Sequence, residues 1–469
     1  MARPISARPV YLLDFSVYKP PEDLRMNVAQ AEANARESWS MYTEASKDFM
    51  VKVFEKSGIS PTGTYLPPTI NPCVVDEPRT GIPEATQEAR MVMFGAVSDL
   101  LEKTGTPPSE IDIVITNCSI FCPTPSLASM LVNHFKLRRN VQSYHLGGMG
   151  CGNGVCAIGL VRDLLQARPN AKALFVPAEI TTYCYYPGTD KKYMVANCIF
   201  RMGGAAALFT NKPGLRRTAK YELLHSERVH TGADDGAFAC MGWQPDAAGV
   251  NGVYLGKDVV QHAGAALQHC LTVIMTWTQY GEAALNAAAR AVYGPTTPAY
   301  APDFTRSIVK HFAIHAGGYA VLKGIQKGMA LPALKMLPSF AALRDYGNTS
   351  CSTTWYIMAY HETCGNVKRG EVVMQIGMGG GMKAGVNVWR ALRDNRSVHA
   401  AWRHLMHKPL TEADLPRGID EAAPAAAAAA RKAEAEARAR AEAAAAAKAK
   451  GVARRPTVDV FAVQEQESG

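Results

Sequence analysis

Cys151 lies in a glycine-rich turn between a predicted strand and a predicted helix. The segment reads Ser143-Tyr-His-Leu-Gly-Gly-Met-Gly-Cys151-Gly-Asn-Gly and is followed by apolar residues. We predict a strand over residues 141–146 and a helix over residues 151–167. A thiol in the first turn of a helix is stabilised as the thiolate by free backbone N–H groups and the positive end of the helix dipole. The pattern therefore predicts a nucleophile, although a buried structural cysteine also fits this segment.

Two histidines occur in the segment His311-Phe-Ala-Ile-His315-Ala-Gly-Gly. On a helix, this spacing would be typical of a pair of metal ligands. The apolar neighbours favour a strand over residues 308–314 instead, and no acidic residue lies between the histidines. His315 would then lie at the end of a strand beside a glycine turn, where a histidine can face a pocket. The alternative is a histidine with an ordinary core or surface role.

Asn348 lies in the segment Tyr346-Gly-Asn348-Thr-Ser-Cys-Ser, just before a predicted helix over residues 352–363. Asn, Thr and Ser are all favourable residues at the start of a helix, so a structural cap explains the segment. A functional Asn348 would instead direct its amide N–H at an oxygen in the site. Both roles are compatible, because Thr349 or Ser350 can cap the helix while Asn348 faces inward.

The elements that must hold these residues follow a similar order in both halves of the chain. In each half a strand leads into a glycine turn that carries a polar residue, and a helix follows. This order indicates an α/β fold built from a duplicated unit, with mostly parallel strands covered by helices. Further elements are predicted as a strand over 9–16, helices over 87–104, 127–134 and 257–292, and strands over 111–117, 173–178, 205–210, 371–376 and 383–389.

The predicted division of the chain has four parts. Residues 1–85 form an N-terminal strand and helical extension that packs on the core, and 86–218 form a half that carries Cys151. Residues 219–395 form a second half with His315 and Asn348. Residues 396–469 form a tail rich in Ala, Glu, Arg and Lys, which is either helical or disordered because it has no apolar stripe.

Composition restricts the possible functions. The chain has 469 residues, 48% of them hydrophobic, and a formal net charge of +9. The basic residues are scattered, which argues against nucleic-acid binding and favours a mild attraction for coenzyme A phosphates or an anionic membrane face. The 11 cysteines follow no secretory signal, which predicts free thiols. Cys118 and Cys122 have no second ligand pair, so no metal site is expected, and no apolar run reaches the length of a transmembrane helix.

Taken together, Cys151, His315 and Asn348 resemble the catalytic set of the condensing enzymes of the thiolase superfamily. More narrowly, residues 9–392 resemble the plant-type 3-ketoacyl-CoA synthases, the condensing enzymes of very-long-chain fatty acid elongation. The motifs that carry this resemblance occur in order along the chain, at residues 8–15, 117–126, 143–151, 197–206, 230–235, 311–318 and 347–350.

The resemblance implies a thiolase-like fold in which duplicated βαβαβαββ halves form a five-layer αβαβα sandwich. It also implies that Cys151 accepts a long-chain acyl group from acyl-CoA as a thioester. Malonyl-CoA would then lose carbon dioxide while His315 and Asn348 stabilise the charge on its thioester carbonyl. Attack on the Cys151 thioester would give a 3-ketoacyl-CoA two carbons longer, with no cofactor beyond these substrates.

Further residues are assigned by the same resemblance. The Cys151 backbone N–H would share an oxyanion hole with an N–H from Gly379, Gly380 or Gly381. His230 and His311 match positions that support activity. The implied partners are a second copy of the chain and other elongase subunits, namely a ketoacyl-CoA reductase, a dehydratase and an enoyl-CoA reductase.

The chain departs from the family pattern in several places. Arg344 stands where the family usually has His, four residues before the catalytic Asn, and Gly152-Asn153-Gly154 replaces the common Ser-Ala-Gly.

The family also has two membrane-spanning helices before the catalytic domain. We expect location at the endoplasmic reticulum membrane, with peripheral attachment, a cytosolic location and a missing N-terminal segment as alternatives. Two functional alternatives are a type III polyketide synthase and a non-catalytic scaffold.

Overall fold

The computed structural model describes residues 8–406 except 272–276, 295, 298–299 and 301–302. The described residues belong to one compact unit, Met1–Pro416. The strands are β1 Tyr11–Val17, β2 Arg25–Met26, β3 Thr64–Tyr65, β4 Ile113–Asn117, β5 Gln142–Leu146, β6 Lys172–Glu179, β7 Gly203–Thr210, β8 Tyr221–His230, β9 Met241–Pro245, β10 Asn251–Leu255, β11 Val309–Ile314, β12 Val372–Gly379 and β13 Lys383–Ala391. The predicted boundaries after residues 85, 218 and 395 stay predictions.

The α-helices surround and separate these strands. They are α1 Val28–Ser38, α2 Glu44–Glu55, α3 Ile82–Ala89, α4 Gly95–Thr104, α5 Leu127–Phe135, α6 Asn153–Ala167, α7 Thr181–Cys184, α8 Lys191–Ile199, α9 Asp235–Ala239, α10 Val259–Leu271, α11 Trp277–Tyr293, α12 Tyr319–Gly328, α13 Ala333–Tyr346 and α14 Thr353–Tyr360. The chain from residue 407 onward, which includes most of the predicted tail, lies outside the described residues.

The larger strands form one nine-stranded mixed sheet in the order β11-β12-β13-β8-β1-β7-β6-β4-β5. The pairs β4–β5, β4–β6 and β11–β12 are parallel, and the other pairs are antiparallel. β1 pairs along its length with β7 but meets β8 only through Tyr11 and Leu12. This short pairing joins the strands of the first half of the chain to those of the second.

Two helices lie between these two groups of strands. α6 packs on β8, β12 and β13 and also on β4 and β6, while α14 packs on β1, β7, β11 and β12. Every residue of α14 is buried, as expected for a helix that is covered all round. α4 packs on β1 and β7, and α10 packs on β8 and β13. Helices and strands therefore alternate in layers, with α6 and α14 in the middle.

The structure refines several of the predicted elements. The helix predicted over 87–104 continues from α3 through a π-helical turn, Arg90–Phe94, into α4 and ends at Gly105 in the left-handed region. The predicted helix over 352–363 consists of a 3-10 turn, α14 and a second π-helical turn. The helix predicted over 257–292 corresponds to α10 and α11, with residues 272–276 outside the described part of the chain.

Candidate active site

Cys151 lies in the turn immediately before α6, which begins at Asn153 with Gly152 as its N-cap. The prediction of a helix that starts at Cys151 is therefore wrong by two residues. Burial of the side chain opposes the predicted preference for the thiolate. Burial dominates and raises the pKa of the Cys151 thiol from 9.0 to about 12, while a hydrogen bond with Ser350 acts in the opposite direction. Cys151 is thus a thiol at rest, in a half-buried position.

The turn around Cys151 needs glycines because two backbone segments meet there. Gly150 has φ +70°, and a Cβ atom on it would lie 2.3 Å from the backbone nitrogen of Gly380. A Cβ atom on Gly379 would lie 2.5 Å from the backbone nitrogen of Cys151. Such distances exclude any side chain. The glycine turn after β12 thus lies directly against the nucleophile turn.

His315 follows the last residue of β11, as the strand pattern predicts, and its backbone N–H extends the ladder by donating to the Ile376 carbonyl at 2.9 Å. The side chain is buried, and its Nδ1 atom has no hydrogen-bond partner among the described residues. Burial lowers the pKa of His315 from 6.5 to about 4. The imidazole is therefore neutral near pH ~7, and a neutral ring carries one N–H donor and one acceptor nitrogen.

Asn348 is held by its neighbours so that its amide has a defined orientation. Its Oδ1 accepts a hydrogen bond from the Ser350 N–H at 2.8 Å, and its Nδ2 donates to the Gly317 carbonyl at 3.1 Å. An amide nitrogen has two N–H groups, so one remains for a ligand. Thr349 makes no side-chain cap bond, and the Ser350 hydroxyl bonds Glu179 instead. The predicted capping by Thr349 or Ser350 is therefore wrong, and Asn348 itself supplies the local bond.

The structure brings Cys151, His315 and Asn348 together on the wall of one cavity of about 610 Å³, which Gly379 also lines. Gly380 and Gly381 belong to the same turn but are not among the residues that line the cavity. The rest of the wall is largely apolar and comes mainly from α2, α8, α10 and the start of α12. Its apolar side chains include Phe49, Val53, Val195, Ile199, Phe200, Met241, Leu255, Val259, Val260, Val321, Met378 and Met382.

The predicted supporting histidines lie away from this wall. His230 is exposed at the end of β8, where it pairs with Lys383. His311 lies on β11, and its Nε2 is 2.8 Å from Oε2 of Glu371. Burial lowers the pKa of His311, and Glu371 opposes this shift. Arg344 lies in the last turn of α13 and pairs with Asp345 at 2.7 Å. None of these three side chains lines the cavity, so any role in activity would be indirect.

Lysines at the cavity were missed in the sequence. Three exposed lysines line the cavity, namely Lys52 of α2, Lys56 at the C-cap of α2 and Lys257 before α10. None of them forms an ion pair with another described residue. Lys52 and Lys56 are one helical turn apart, which places both on one face of a helix. This spacing could have predicted a basic face from the sequence. Within the described part of the chain, no group of three or more His, Cys, Asp or Glu residues could hold a metal ion.

Solved structures with the same fold were found among polyketide synthases. The C-terminal type III polyketide synthase domain of Steely1 from Dictyostelium superposes with a TM-score of 0.63 and 16% identity, covering 82% of this chain and 99% of that domain. The fungal type III polyketide synthase ORAS gives a TM-score of 0.63 and 18% identity, covering 81% and 99% of the two chains. The predicted α/β, thiolase-like fold is confirmed.

Family models and relatives give a narrower assignment. The family described as FAE1/Type III polyketide synthase-like protein matches residues 3–278, and the 3-oxoacyl-[acyl-carrier-protein] synthase III C-terminal family matches residues 301–391. The 3-ketoacyl-CoA synthase 11 of Arabidopsis thaliana is 41% identical over 402 residues, which is 84% of this chain and 76% of that protein. The 3-ketoacyl-CoA synthase 4 of the same plant is 38% identical over 417 residues, 88% of this chain and 79% of its own length.

Fold and family models together define a condensing enzyme of the acyltransferase type. The chain belongs to the family of the 3-ketoacyl-CoA synthases, as the sequence motifs predicted. In the described residues, no helix is long and apolar enough to cross a membrane.

Proposed function

We propose that the protein condenses a long-chain acyl-CoA with malonyl-CoA and releases a 3-ketoacyl-CoA two carbons longer, in very-long-chain fatty acid elongation. The observation that carries this proposal is the single cavity on which Cys151, His315 and Asn348 meet, in a chain of the 3-ketoacyl-CoA synthase family. A thiol and two neutral hydrogen-bond donors beside an apolar wall are the groups that a decarboxylative condensation needs.

In the first step, Cys151 attacks the thioester carbonyl carbon of the acyl-CoA. The bond between that carbon and the Cys151 sulfur forms, the bond to the coenzyme A sulfur breaks, and the thiol proton ends on the departing coenzyme A. The acyl chain then remains in the cavity, where apolar side chains remove it from water at a gain of about 25 cal/mol per Å² of apolar surface.

In the second step, malonyl-CoA takes the place of the departed coenzyme A. His315 and the free N–H of Asn348 donate to its thioester carbonyl, on which negative charge develops as carbon dioxide leaves. Fixed donors in a water-poor cavity stabilise that charge at little reorganisation cost, and each such donor is worth a rate factor of about 100 to 1,000. The resulting carbanion attacks the carbonyl carbon of the Cys151 thioester, which forms the new carbon–carbon bond and breaks the bond to the Cys151 sulfur. The released thiolate takes a proton from water, which restores the thiol.

Coenzyme A binding is supported by the exposed lysines Lys52, Lys56 and Lys257 on the cavity wall. Ammonium groups without carboxylate partners attract phosphate groups and can pair with them as point charges. Both substrates carry the same coenzyme A group, so the same three lysines serve both steps. No metal or organic cofactor is proposed for the reaction, and we expect full activity in the presence of a chelator.

The experiment that tests this function supplies purified protein with a long-chain acyl-CoA and radiolabelled malonyl-CoA. We expect a 3-ketoacyl product two carbons longer, and an acyl adduct on Cys151 when malonyl-CoA is omitted. Cys151→Ala should form neither, while Cys156→Ala provides a matched control in the same helix region. A pyrone or aromatic product would identify a polyketide synthase instead, and the absence of any adduct or decarboxylation would leave a scaffold.

We propose in addition that the active form is a homodimer. β5 forms one edge of the nine-stranded sheet, its residues Gln142, Ser143 and Tyr144 are exposed, and it leads into the Cys151 turn. An exposed edge strand is a template for pairing with another chain. Light scattering should give the mass of a dimer for the native protein and of a monomer for Tyr144→Arg, with Tyr293→Arg on the surface of α11 as the control.

The proposed location is the endoplasmic reticulum membrane, together with the reductase and dehydratase subunits of an elongase. The formal net charge of +9 supports attraction to an anionic membrane face. Fractionation of cells should find the protein with membranes, and a salt wash should release it, because salt screens exposed charges. Retention after the wash would indicate an integral anchor, and absence from the membrane fraction would contradict the proposal.

A further inference from the structure

Glu179 is a buried carboxyl group close to Cys151 that the proposed reaction does not yet use. It ends β6, is 3% exposed and has no Lys, Arg or His partner among the described residues. Its oxygens accept hydrogen bonds from the Cys118 thiol at 3.2 Å and from the backbone N–H groups of Ser119 and Ile120 at 3.0 and 3.1 Å. A buried carboxyl without a counter-ion is costly, so this one calls for an explanation.

Ser350 connects this carboxyl group to the nucleophile. Its hydroxyl donates to Oε2 of Glu179 at 3.0 Å and forms a hydrogen bond with the Cys151 thiol. A hydroxyl has one donor and two acceptor sites, so it can bond both groups at once. The backbone of Ser350 is strained, with φ +54°, and its N–H donates to Asn348 Oδ1 at 2.8 Å. Ser350 thus forms hydrogen bonds with the proposed nucleophile, Cys151, and with Asn348, a proposed donor to malonyl-CoA.

We propose that Ser350 is a further catalytic residue of the acyl-transfer step, whose hydroxyl holds the Cys151 sulfur, and that Glu179 is the positioning residue that orients this hydroxyl. The proposal rests on the proposed role of Cys151 as the nucleophile. In the thiol state, Cys151 donates to Ser350 and Ser350 donates to Glu179. As the sulfur becomes a thiolate and attacks the acyl carbon, the hydroxyl turns to donate to it. Glu179 keeps its other donors, and the thiol proton ends on the departing coenzyme A.

The charges around Cys151 support this arrangement. Burial is the main cause of the raised pKa of the Cys151 thiol, the Ser350 hydrogen bond lowers the pKa, and the charge of Glu179 raises it. The neighbouring thiols of Cys184 and Cys351 also interact with Cys151, and burial raises their pKa values well above 9.0. His315 lines the same cavity as Cys151 and is neutral, because burial lowers its pKa to about 4. Ser350 and Glu179 therefore act on the same thiol in opposite directions.

Two variants test the proposal through a measurement on Cys151 itself. The rate of alkylation of Cys151 by iodoacetamide is followed by mass spectrometry as a function of pH in the native protein, Ser350→Ala and Glu179→Gln. We expect the profile of Ser350→Ala to move to higher pH, because a donor to the thiolate is lost. The profile of Glu179→Gln should move to lower pH, because a negative charge is lost. Acylation of Cys151 by acyl-CoA should be about tenfold slower in Ser350→Ala.

Controls separate this role from a structural one. Ser352→Ala removes another buried hydroxyl of the same 3-10 turn, which donates to the Thr349 carbonyl at 2.9 Å, and should leave profile and acylation unchanged. Ser350→Gly removes the hydroxyl but relieves the positive φ, so it should behave as Ser350→Ala; recovery of native rates would show that backbone strain was the cause and overturn the proposal.

The outcomes also separate this inference from the proposed function. If the native protein forms the acyl adduct on Cys151 and Ser350→Ala does so at the native rate with an unshifted alkylation profile, the role of Ser350 is wrong while the synthase function stands. Shifts of both variants in the same direction would overturn the role of Glu179. If the native protein forms no adduct on Cys151, the proposed function fails and the role of Ser350 fails with it.

Discussion

At the scale of single residues, burial sets the charge of the groups in the cavity. His315 has no charged partner among the described residues to keep it protonated, and desolvation lowers its pKa from 6.5 to about 4. A neutral imidazole donates to an oxyanion without adding a counter-charge that would also hold the malonyl carboxylate. This favours charge on the thioester oxygen, where it develops in the transition state, over charge on the ground-state carboxylate.

The first prediction concerns the pH dependence of this step. Because the pKa of His315 is lowered, the ring stays neutral as the pH falls from 6.5 towards about 4. We expect the release of carbon dioxide from malonyl-CoA to show no acid limb from His315 between pH ~5 and ~8. The measurement uses radiolabelled malonyl-CoA without an acyl donor. An acid limb near the ordinary pKa of histidine that disappears in His315→Gln would contradict the prediction.

The second prediction concerns the amide of Asn348. Asn348→Asp keeps an oxygen that can accept from the Ser350 N–H but replaces the N–H donor with a negative charge. Condensation should therefore fall by a factor of at least about 100, while the acyl adduct on Cys151 still forms to completion. Product formation and intact-protein mass spectrometry report these two steps separately. Loss of the adduct and of condensation to the same degree would show that Asn348 acts on Cys151 and not on malonyl-CoA.

At the scale of elements, the site depends on the contact between the turn before α6 and the turn after β12. The third prediction compares two glycines of the first turn. Gly148 and Gly150 both have positive φ, but only Gly150 lies against other backbone, with Gly148 open to space. Both alanine variants carry a left-handed strain of about 1–2 kcal/mol. Gly150→Ala must also push the two turns apart, so Cys151 acylation should be lost there and largely retained in Gly148→Ala.

The acyl-adduct assay measures this difference, with thermal unfolding as the control for folding. Two stable variants with equal acylation rates would show that the distance between the turns does not matter. Equal losses of stability and activity in both variants would instead attribute the effect to the backbone conformation alone.

Much of the element pattern could be predicted because local sequence carried it. The apolar runs of β4 and β6 are buried on both faces, and the glycines around Cys151 mark a turn that the structure retains. β8 was missed because Tyr221–His230 shows no regular alternation of polar and apolar residues, with Leu223 next to Leu224 and a polar run over 225–228, and has only one β-branched side chain. Its strand conformation comes from pairing with β13 and β1, which are distant in sequence.

The candidate site shows the same limit. Cys151, His315 and Asn348 stand in motifs with local signatures, and their meeting on one cavity follows from the order of the elements. Ser350 and Glu179 lack such signatures, since a serine at a helix start and a glutamate after a buried strand have ordinary structural explanations. Their link to Cys151 depends on the packing of β6, α6 and the turn before α14, which no spacing in the sequence reveals.

At the scale of the whole molecule, a buried charge cluster ties the two halves of the chain together. Lys220, just before β8, is 2.7 Å from Asp14 of β1 and 2.7 Å from Glu362 in the π-helical turn after α14. Glu362 is also 2.8 Å from Nε2 of His399, near the end of the described chain. The cluster lies beside the short pairing of β1 with β8, the point at which the two groups of strands join.

The fourth prediction follows from the depth of this cluster. The side chains of Lys220 and Glu362 are 1% and 0% exposed, so removal of the ammonium group leaves the Glu362 carboxylate without its lysine partner in a medium that solvates it poorly, whereas Asp14 keeps Lys103 at 2.8 Å. Lys220→Met should lower the free energy of unfolding by about 3–5 kcal/mol, measured by chemical denaturation. The surface pair of Arg306 with Glu282 offers the matched control, because Arg306→Met breaks an exposed contact at 2.9 Å and should leave the unfolding midpoint unchanged.

An equal effect of both variants would show that burial of the Lys220 cluster does not determine how strongly the halves are joined. A large effect confined to Lys220→Met would instead make the cluster the element that keeps β11 and the turn before α6, and with them His315 and Cys151, in one folded unit.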